Sequence, residues 1–452
     1  MKQLIPSRYK STSQQQTAIE VTVYNENIGL IKDQRKVKLP KGLSELLFID
    51  VAANMEPSSV HVHSITAPGK LSVLELNCEY ERIEPANLLA KYIGKEVNIY
   101  RRNPSKDQRE LVAATILYSG KDGTIYQIGD EIIMSPPEQI IFPKVSENLI
   151  TKPTIIWLLH NEHKSSQTIE TVYLARGINW KADYHIVLDK EDTKADIFGW
   201  ATIDNNSGVD YTNAKLKLIA GDVNRLHYEN HEVVQYCESY DSTPFKGESF
   251  ADGHTYSMER RTTLKYGQTK RIGLLKAKNV KVNKEYRLSG PALHIIMDGI
   301  NVPGSDDISI YLIIDNKKGH GMGMPLPKGN VHVYKHGSDE SLQFVGEDSI
   351  SHIPENETVS VRLGAAFDIK ATRIQKNCKK LSDKSYEATF EISIRNHKKE
   401  DIYVRILEQI ASHWKMVKSS SKFERVDAGW VEWPVSVKSD GETTLTYRVR
   451  IE

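Results

Sequence analysis

The sequence predicts an all-β protein of antiparallel sandwich domains, with a small inserted SH3-like barrel and a C-terminal immunoglobulin-like sandwich. Apolar and polar residues alternate with a period of two, as in SYEATFEISIRN, where the apolar residues from Tyr386 to Ile394 share one face. Such alternation is typical of antiparallel sheets with one buried face, because buried parallel strands give continuous apolar runs. Helical periodicity is scarce, and only PANLLAKYIG, from Pro85 to Gly94, predicts a short helix.

The overall charge is nearly balanced, with 60 Lys and Arg residues against 59 Asp and Glu residues in a chain of 452. A chain with balanced charge has no overall positive potential that would attract a nucleic-acid backbone or an anionic lipid surface. The three cysteines, Cys78, Cys237 and Cys378, lie far apart and form neither a disulfide framework nor a thiolate zinc motif. We therefore expect reduced thiols, a reducing compartment, no cofactor and no nucleic-acid partner.

No segment of the sequence predicts export or membrane insertion. The opening stretch, MKQLIPSRYKSTSQQQ, contains no apolar run of signal-peptide length. No window reaches the roughly 18 consecutive apolar residues that a membrane-spanning helix needs. We expect a cytoplasmic protein without a transmembrane segment.

Turn signals and composition divide the chain into five predicted blocks. Four short strands linked by turns at Asp122-Gly123 and Gly129-Asp130 predict the small barrel. A stretch without alternation, residues 226–260, predicts a long functional or mobile excursion. The blocks are a disordered polar lead-in at 1–16, an N-terminal β block at 17–85, the inserted barrel at 86–150, a central sandwich at 151–380 that contains the excursion, and the immunoglobulin-like sandwich at 384–452.

The stretch YLARGINWKADYHIVLD predicts a strand, a bend and a second strand. Gly177 permits the positive φ or close backbone approach that a bend requires. Beyond it, Trp180 and Tyr184 fall on the core face, whereas Asp183 and His185 fall on the exposed face. Asp183 and His185 are therefore candidates for a polar binding surface.

Two histidine motifs are candidate metal sites. HVH places His61 and His63 on one face of a strand, where two imidazoles chelate a metal if a third ligand joins them; the alternative is a solvated outer face. In HNEH, His160 and His163 are three residues apart in a polar turn, which is not the helical i, i+4 spacing of a metalloprotease. We expect an ordinary turn there.

An aromatic residue near the C-terminus is a candidate binding group. In DAGWVEWPVSV, Val431 and Trp433 share the inward face, and Trp430 falls on the opposite one. Trp430 either stacks on a sugar or anchors a protein partner, or it is covered by a neighbouring domain.

Several motifs, in order along the chain, resemble a bacterial family. VTVYNENIGLIKDQRKVKLPKGLSELLFIDVAANMEPSSVHVHS resembles the N-terminal strand block of the mucoidy-inhibitor-A-like proteins, which carry a C-terminal domain of unknown function. Later motifs of that family resemble YLARGINWKADY, GWATIDNNSGVDYTNAKLKLIAGDV and FVGEDSISHIPENETVSVRLGAAFDI in this chain. The resemblance implies the fold and brings no settled activity. Because many relatives are exported, it also implies the cell envelope as an alternative location.

Three functions remain open from the sequence. The favoured one is a non-enzymatic multidomain β-protein that binds another protein or itself, because sandwich loops and small barrels commonly serve as recognition surfaces. The second is an envelope- or glycan-associated binding protein that uses Trp430. The third is a hydrolase whose carboxylates or histidines gather in an inter-domain cleft, since sequence spacing does not reveal such pairs.

Overall fold

The computed structural model confirms the all-β fold, with about 70% of the described residues in strands and 3% in helix. The residues that it describes are 6–79, 85–103, 108–120, 123–134, 139–143, 152–221, 246–250, 253–290, 304–318, 322–337, 339, 341–382, 385–410 and 413–451.

Among the described residues, helix α1 spans Pro85–Lys91, and 3-10 turns span Ser13–Gln15 and Pro57–Ser59. The first strands are β1 Ser7–Ser11, β2 Gln16–Tyr24, β3 Ile28–Val37, β4 Gly42–Ile49, β5 His61–Ser64, β6 Leu71–Glu79, β7 Glu96–Asn103, β8 Gln108–Gly120, β9 Gly123–Ile128, β10 Glu131–Ile133, β11 Gln139–Ile141, β12 Thr154–Asn161, β13 Gln167–Arg176, β14 Ile178–Leu188 and β15 Lys194–Asn205. The later strands are β16 Tyr211–Ala220, β17 Lys246–Phe250, β18 Gly253–Ser257, β19 Thr262–Leu264, β20 Gln268–Ser289, β21 Gly304–Asp315, β22 Gly329–His336, β23 Leu342–Ile350, β24 Thr358–Lys380, β25 Tyr386–Asn396, β26 Ile402–Gln409, β27 Trp414–Ser419, β28 Glu424–Arg425, β29 Trp430–Val437 and β30 Gly441–Ile451.

The chain divides into two compact units, each built from three chain segments. Unit 1 comprises Met1–Asn179, Asp204–Lys217 and Arg260–Thr269. Unit 2 comprises Trp180–Ile203, Leu218–Glu259 and Lys270–Glu452. The units therefore cut the chain differently from the five blocks that its composition predicts.

Unit 1 contains two main sheets joined by a buried arginine. One has the strand order β1-β4-β12-β6, and the other contains β16-β2-β3-β13-β5 with β19 beside β16. From β3, Arg35 donates to Asp33 at 2.7 Å and to the backbone carbonyl of Ile49 at 2.7 Å. Its guanidinium lies 3.6 Å from the centre of the Phe48 ring on β4. A charged side chain without solvent contact thus has partners on both sheets, as buried charges require.

The predicted disordered lead-in is wrong for residues 7–15. Strand β1 pairs in parallel with β4, with Tyr9 opposite Leu46, and Thr12 caps the 3-10 turn that follows. The segment is polar because it forms the edge of its sheet, where the backbone pairs on one side only and side chains need little apolar cover.

The predicted closed barrel is also wrong. The short strands form an open antiparallel sheet of order β10-β9-β8-β7-β11, and no bridge joins β10 to β11 in the described part of the insertion. Both end strands are three residues long, which leaves little backbone for closure. Leu88 and Leu89 of the short predicted helix, which ends at Lys91, instead pack on the apolar face of the sheet.

Unit 2 is organised around one large sheet, of order β23-β22-β14-β15-β20-β21-β24-β25-β30-β27, and β26, β28 and β29 join it off this path. The 23-residue β24 pairs with β21 over its first part and with β25 over its second. The expected inward residues of β25 and β30, including Phe390, Ile392 and Tyr447, form the core at this end.

Four buried asparagines end strands in the same way. Each is at the end of a strand or just after it, its Oδ1 accepts a nearby backbone N–H, and its Nδ2 donates to backbone carbonyls of other loops; they are Asn161, Asn205, Asn316 and Asn396. Asn161 belongs to HNEH, in which His160 and Asn161 end β12 and Glu162 and His163 begin the loop after it. These amides therefore connect strand ends to neighbouring parts of the backbone by hydrogen bonds.

The excursion predicted at 226–260 is described only in part. Lys246–Phe250 and Gly253–Ser257 form an antiparallel hairpin, and the residues before it from 226 lie outside the described ranges.

In the described chain, no helix is both long and apolar enough to cross a membrane.

Candidate binding face

The predicted bend and core face around β14 are confirmed. Gly177 has a φ of 84°, and a Cβ atom there would lie 2.6 Å from the carbonyl oxygen of Asn206. Trp180 and Tyr184 are buried, and Tyr184 donates its hydroxyl to the backbone carbonyl of Pro327 at 2.8 Å. These anchors determine which side of β14 faces outward.

The expectation that Asp183 is exposed is wrong, because only 8% of it is accessible. Thr202 on the neighbouring strand β15 covers it and donates its hydroxyl to Asp183 Oδ2 at 2.5 Å. The hydrogen bond therefore joins this carboxylate to a threonine and not to His185, so the three side chains do not form a nucleophile–base–acid relay.

His185 lies on the outer face, as predicted, within a group drawn from four strands of unit 2. Its ring centre is 5.6 Å from that of His332, directly opposite on β22, and 5.8 Å from that of Tyr334. Arg271 on β20 completes the group by lying over Trp200 of β15, with its guanidinium 5.3 Å from the ring centre. We call this set the histidine face: His185, Trp200, Arg271, His332 and Tyr334.

A cation and an imidazole lie side by side on the histidine face. Arg271 Nη2 is 3.4 Å from His185 Nε2. Partial burial lowers the pKa of His185 below its ordinary value, the positive charge of Arg271 and the neighbouring His332 lower it further, and Asp183 opposes the change. A neutral imidazole is therefore favoured at neutral pH, and its ring nitrogen can accept a hydrogen bond from Arg271.

Acidic groups are sparse around the histidine face. Glu347 on β23 approaches His332, with Oε2 3.7 Å from Nε2, but its side chain is 71% exposed. Asp183 is already bonded to Thr202. Among the side chains that the structure describes, no carboxylate forms an ion pair with Arg271.

An apolar patch continues from the histidine face along β23. Leu342, Phe344 and Val345 are 53%, 58% and 37% exposed, respectively. Phe344 meets Tyr334 edge to face, with ring centres 5.7 Å apart. We call these three residues of β23 the hairpin patch, because β22 and β23 form an antiparallel hairpin.

The family model of the Domain of unknown function (DUF4139) matches residues 169–452 of this chain. The chain belongs to the DUF4139 family. The histidine face and the hairpin patch both lie inside the DUF4139 match. No curated protein matches the chain.

The first metal candidate precedes the DUF4139 match. His61 and His63 are exposed with ring centres 5.6 Å apart, and His63 Nε2 is 3.8 Å from Oε1 of Glu170. The other oxygen of Glu170 accepts from Gln34 at 2.7 Å. Within the described ranges, no three His, Cys, Asp or Glu side chains are placed to hold a metal ion.

Trp430 lies at the start of β29, inside the DUF4139 match. Val431 and Trp433 are buried, and Trp430 is half-buried on the other face, as the alternation predicts. Its backbone N–H donates to Asp427 Oδ1 at 2.9 Å. The structure does not bring Trp430 into the histidine face.

Sequence reasoning missed four residues of the DUF4139 histidine face. Trp200, Arg271, His332 and Tyr334 each occupy the polar face of an alternating strand, in GWATID, KRIGLL and NVHVYK. Alternation therefore predicted that these side chains point outward. It did not predict that they lie close together, because alternation assigns each residue to a face of its strand and does not show which strands are neighbours.

Proposed function

We propose that this chain is a non-enzymatic binding protein of the mucoidy-inhibitor-A-like type that recognises another protein through the hairpin patch and the adjoining histidine face. The observation that supports this most is the exposure of Leu342, Phe344 and Val345 together on one short strand segment. Clustered exposed apolar side chains typically mark a protein interaction site. Aromatic residues dominate the binding energy of such sites.

The position of β23 in its sheet supports the same role. It is the last strand of the large sheet and pairs with β22 on one side. In the described part of the chain, no strand pairs with it on the other side. From Gly346 onward that side faces β24, since the Arg362 N–H donates to Asp348 Oδ2 at 2.7 Å and a Cβ atom at Gly346 would lie 2.5 Å from the Leu363 carbonyl oxygen. The part of the edge that can pair with an incoming polypeptide is therefore Leu342 to Val345, where Leu342 and Phe344, on alternate positions, project to one face.

The polar groups of the histidine face support binding more than catalysis. Thr202 is bonded to the Asp183 carboxylate, and His185 meets Arg271. Thr202 and Asp183 are only 6% and 8% accessible, so this hydroxyl does not face a substrate. His185 contacts a guanidinium and not the hydroxyl or thiol that a base must activate.

Pull-down from a native cell extract with the intact chain tests the proposal. The decisive variant is Leu342→Ser/Phe344→Ser, and the matched control is Tyr403→Ser, since Tyr403 is 72% exposed on β26. We expect a protein that is retained by the unmodified chain and by Tyr403→Ser and is lost with the double variant. Equal retention by all three contradicts the proposal. Sedimentation of the same variants shows whether the partner is a second copy.

Glycan binding is the second candidate function, favoured by the partial exposure of Trp430 on the outward face of β29. Indole rings stack on sugar rings. If this function holds, isolated polysaccharide binds the intact chain and Trp430→Ala loses the binding, whereas Tyr403→Ser retains it. Unchanged binding in Trp430→Ala excludes this site.

A further inference from the structure

We propose that Arg271, His185 and His332 receive a carboxylate group of the partner, so that the protein recognises an acidic polypeptide segment. This inference rests on the proposed protein-binding function and specifies the chemistry of the partner. It follows from the charge of the histidine face, from the three donor groups that lie together there and from its continuity with the hairpin patch.

The Arg271 guanidinium is available to an anion. It lies over Trp200 at 5.3 Å from the ring centre, a contact that uses none of its N–H groups as hydrogen-bond donors to an oxygen. Its one described polar contact is the 3.4 Å approach to His185, and no described carboxylate pairs with it. A guanidinium group binds a carboxylate through two parallel N–H···O bonds in one plane, and such charged bidentate pairs are among the strong hydrogen bonds of proteins.

The two imidazoles provide further donors. Their ring centres are 5.6 Å apart, and the His332 side chain is 31% exposed, with Nε2 3.7 Å from Glu347 Oε2. His185 Nε2 points toward Arg271 and becomes a second donor when it binds a proton. An anionic oxygen between Arg271 and His185 would accept from both and relieve the repulsion between two like charges.

The groups that face His185 come from four strands. They are Asp183 on β14, Arg271 on β20, His332 on β22 and, beyond His332, Glu347 on β23. Asp183 is bonded to Thr202, and Glu347 is largely exposed. Cationic and imidazole groups therefore outnumber unengaged acids at the centre of the histidine face, and an acidic partner complements it.

The histidine face and the hairpin patch form one continuous row of rings. His185 is 5.8 Å from Tyr334, and Tyr334 is 5.7 Å from Phe344, between ring centres. A segment that places an apolar side chain on Phe344 thus brings its neighbouring side chains toward the imidazoles. This geometry fits a segment in which acidic and apolar residues alternate.

Proton binding links this recognition to pH. A bound carboxylate favours the protonated form of His185, which the free protein disfavours. Affinity for the acidic segment therefore rises as the pH falls through the imidazole range. A partner carboxylate stays ionised over that range, because the ordinary pKa of Glu is about 4.3.

Fluorescence anisotropy with the intact chain and two labelled peptides tests this inference. One peptide is Glu-Leu-Glu-Leu-Glu, and the other is Gln-Leu-Gln-Leu-Gln, of nearly equal shape. We expect the Glu peptide to bind more tightly than the Gln peptide, and more tightly at about pH 5.5 than at about pH 7.5. Arg271→Gln weakens Glu-peptide binding about tenfold or more, since a charged hydrogen bond contributes roughly 1.5–3 kcal/mol. His185→Gln reduces the pH dependence.

The matched control is Lys278→Gln, which removes one positive charge from an exposed position of the same strand; it leaves binding within about twofold, because distant surface charges are screened. Equal binding of the two peptides, no binding, or no effect of Arg271→Gln overturns the inference. In those cases the pull-down tests the proposed function independently, and a retained partner would still support it. Conversely, binding of the Glu peptide that depends on Arg271, with no protein retained in the pull-down, supports the acidic site and contradicts the hairpin patch as an interaction surface.

Discussion

Arg373 donates to Glu408 across 2.5 Å inside the core of unit 2, where the Glu408 carboxylate is almost fully buried. The second oxygen of Glu408 accepts the Tyr447 hydroxyl at 2.9 Å. Arg373 also donates to Asp306 at 2.7 Å. A buried charge remains tolerable only with partners of this kind, so the network makes the stability of unit 2 sensitive to its members.

Replacing Glu408 with Gln changes how stability depends on pH. Burial raises the pKa of Glu408 above its ordinary value, although Arg373 and Tyr447 oppose the change. Because the folded-state pKa is the higher one, the folded chain holds more protons, and the free energy of unfolding falls as pH rises from the unfolded value toward the folded one. We expect urea unfolding between about pH 4.5 and pH 7.5 to show this fall in the intact chain and not in Glu408→Gln. Parallel pH profiles for the two proteins would contradict it.

Replacing Gly290 with Ala disturbs the same ion pair sterically. A Cβ atom at Gly290 would lie 2.6 Å from Glu408 Oε1 and 2.8 Å from Arg373 Nη2. We expect Gly290→Ala to lower the free energy of unfolding by about 1–3 kcal/mol, as overpacking does. Gly273 on β20 is the matched control, because nothing lies within 4 Å of a Cβ atom there. Denaturant unfolding that shows equal effects at both positions would refute the steric cause.

The bend before β14 yields a second comparison of glycines. Gly177 and Gly42 both have positive φ, at 84° and 91°. Only the Cβ position of Gly177 is crowded, 2.6 Å from the Asn206 carbonyl oxygen. We expect Gly42→Ala to destabilise by about 1–2 kcal/mol through backbone strain alone. Gly177→Ala should cost about 1–3 kcal/mol more. Thermal unfolding of both variants measures the difference, and its absence would show that the bend relaxes.

Replacing a strand-ending asparagine leaves several buried groups unsatisfied. Asn396 donates to the carbonyls of Glu400 at 2.8 Å and Lys438 at 3.0 Å, and it accepts the N–H of Lys398 at 3.0 Å. We expect Asn396→Ala to destabilise by about 2–4 kcal/mol, because each unsatisfied buried group costs about 1–3 kcal/mol. The exposed Asn330 on β22 is the control, and Asn330→Ala stays within about 0.5 kcal/mol. Chemical unfolding midpoints compare the two.

Local alternation predicted the faces of strands well. The side chains of Trp180, Tyr184 and Trp433 are buried where a period of two places them. Asp183 is an exception, since the same rule directs it outward, yet Thr202 of the adjacent strand covers it. Burial of an outward side chain depends on which strand lies beside it, and a single strand contains no such information.

Local sequence patterns also did not predict whether a sheet closes into a barrel or which strands lie next to each other in it. Strands β7 to β10 lie where the turn signals predict them, and β11 was not predicted. The sheet stays open because both end strands are short, and α1 packs on its apolar face. Likewise the polar segment from Ser7 to Ser11 is a strand because its backbone pairs with β4. Backbone hydrogen bonds at a sheet edge place few demands on side-chain type, so composition misses them.

The sequence by itself determined that this chain is all-β, where its turns lie and which side of each strand is apolar, because these follow from side-chain direction within one strand. Only the tertiary structure decided that His185 meets Arg271, which is 86 residues away along the chain. Their meeting depends on strand order and register, which arise from hydrogen bonds and packing between distant segments. The candidate binding face is therefore a property of the assembled sheet.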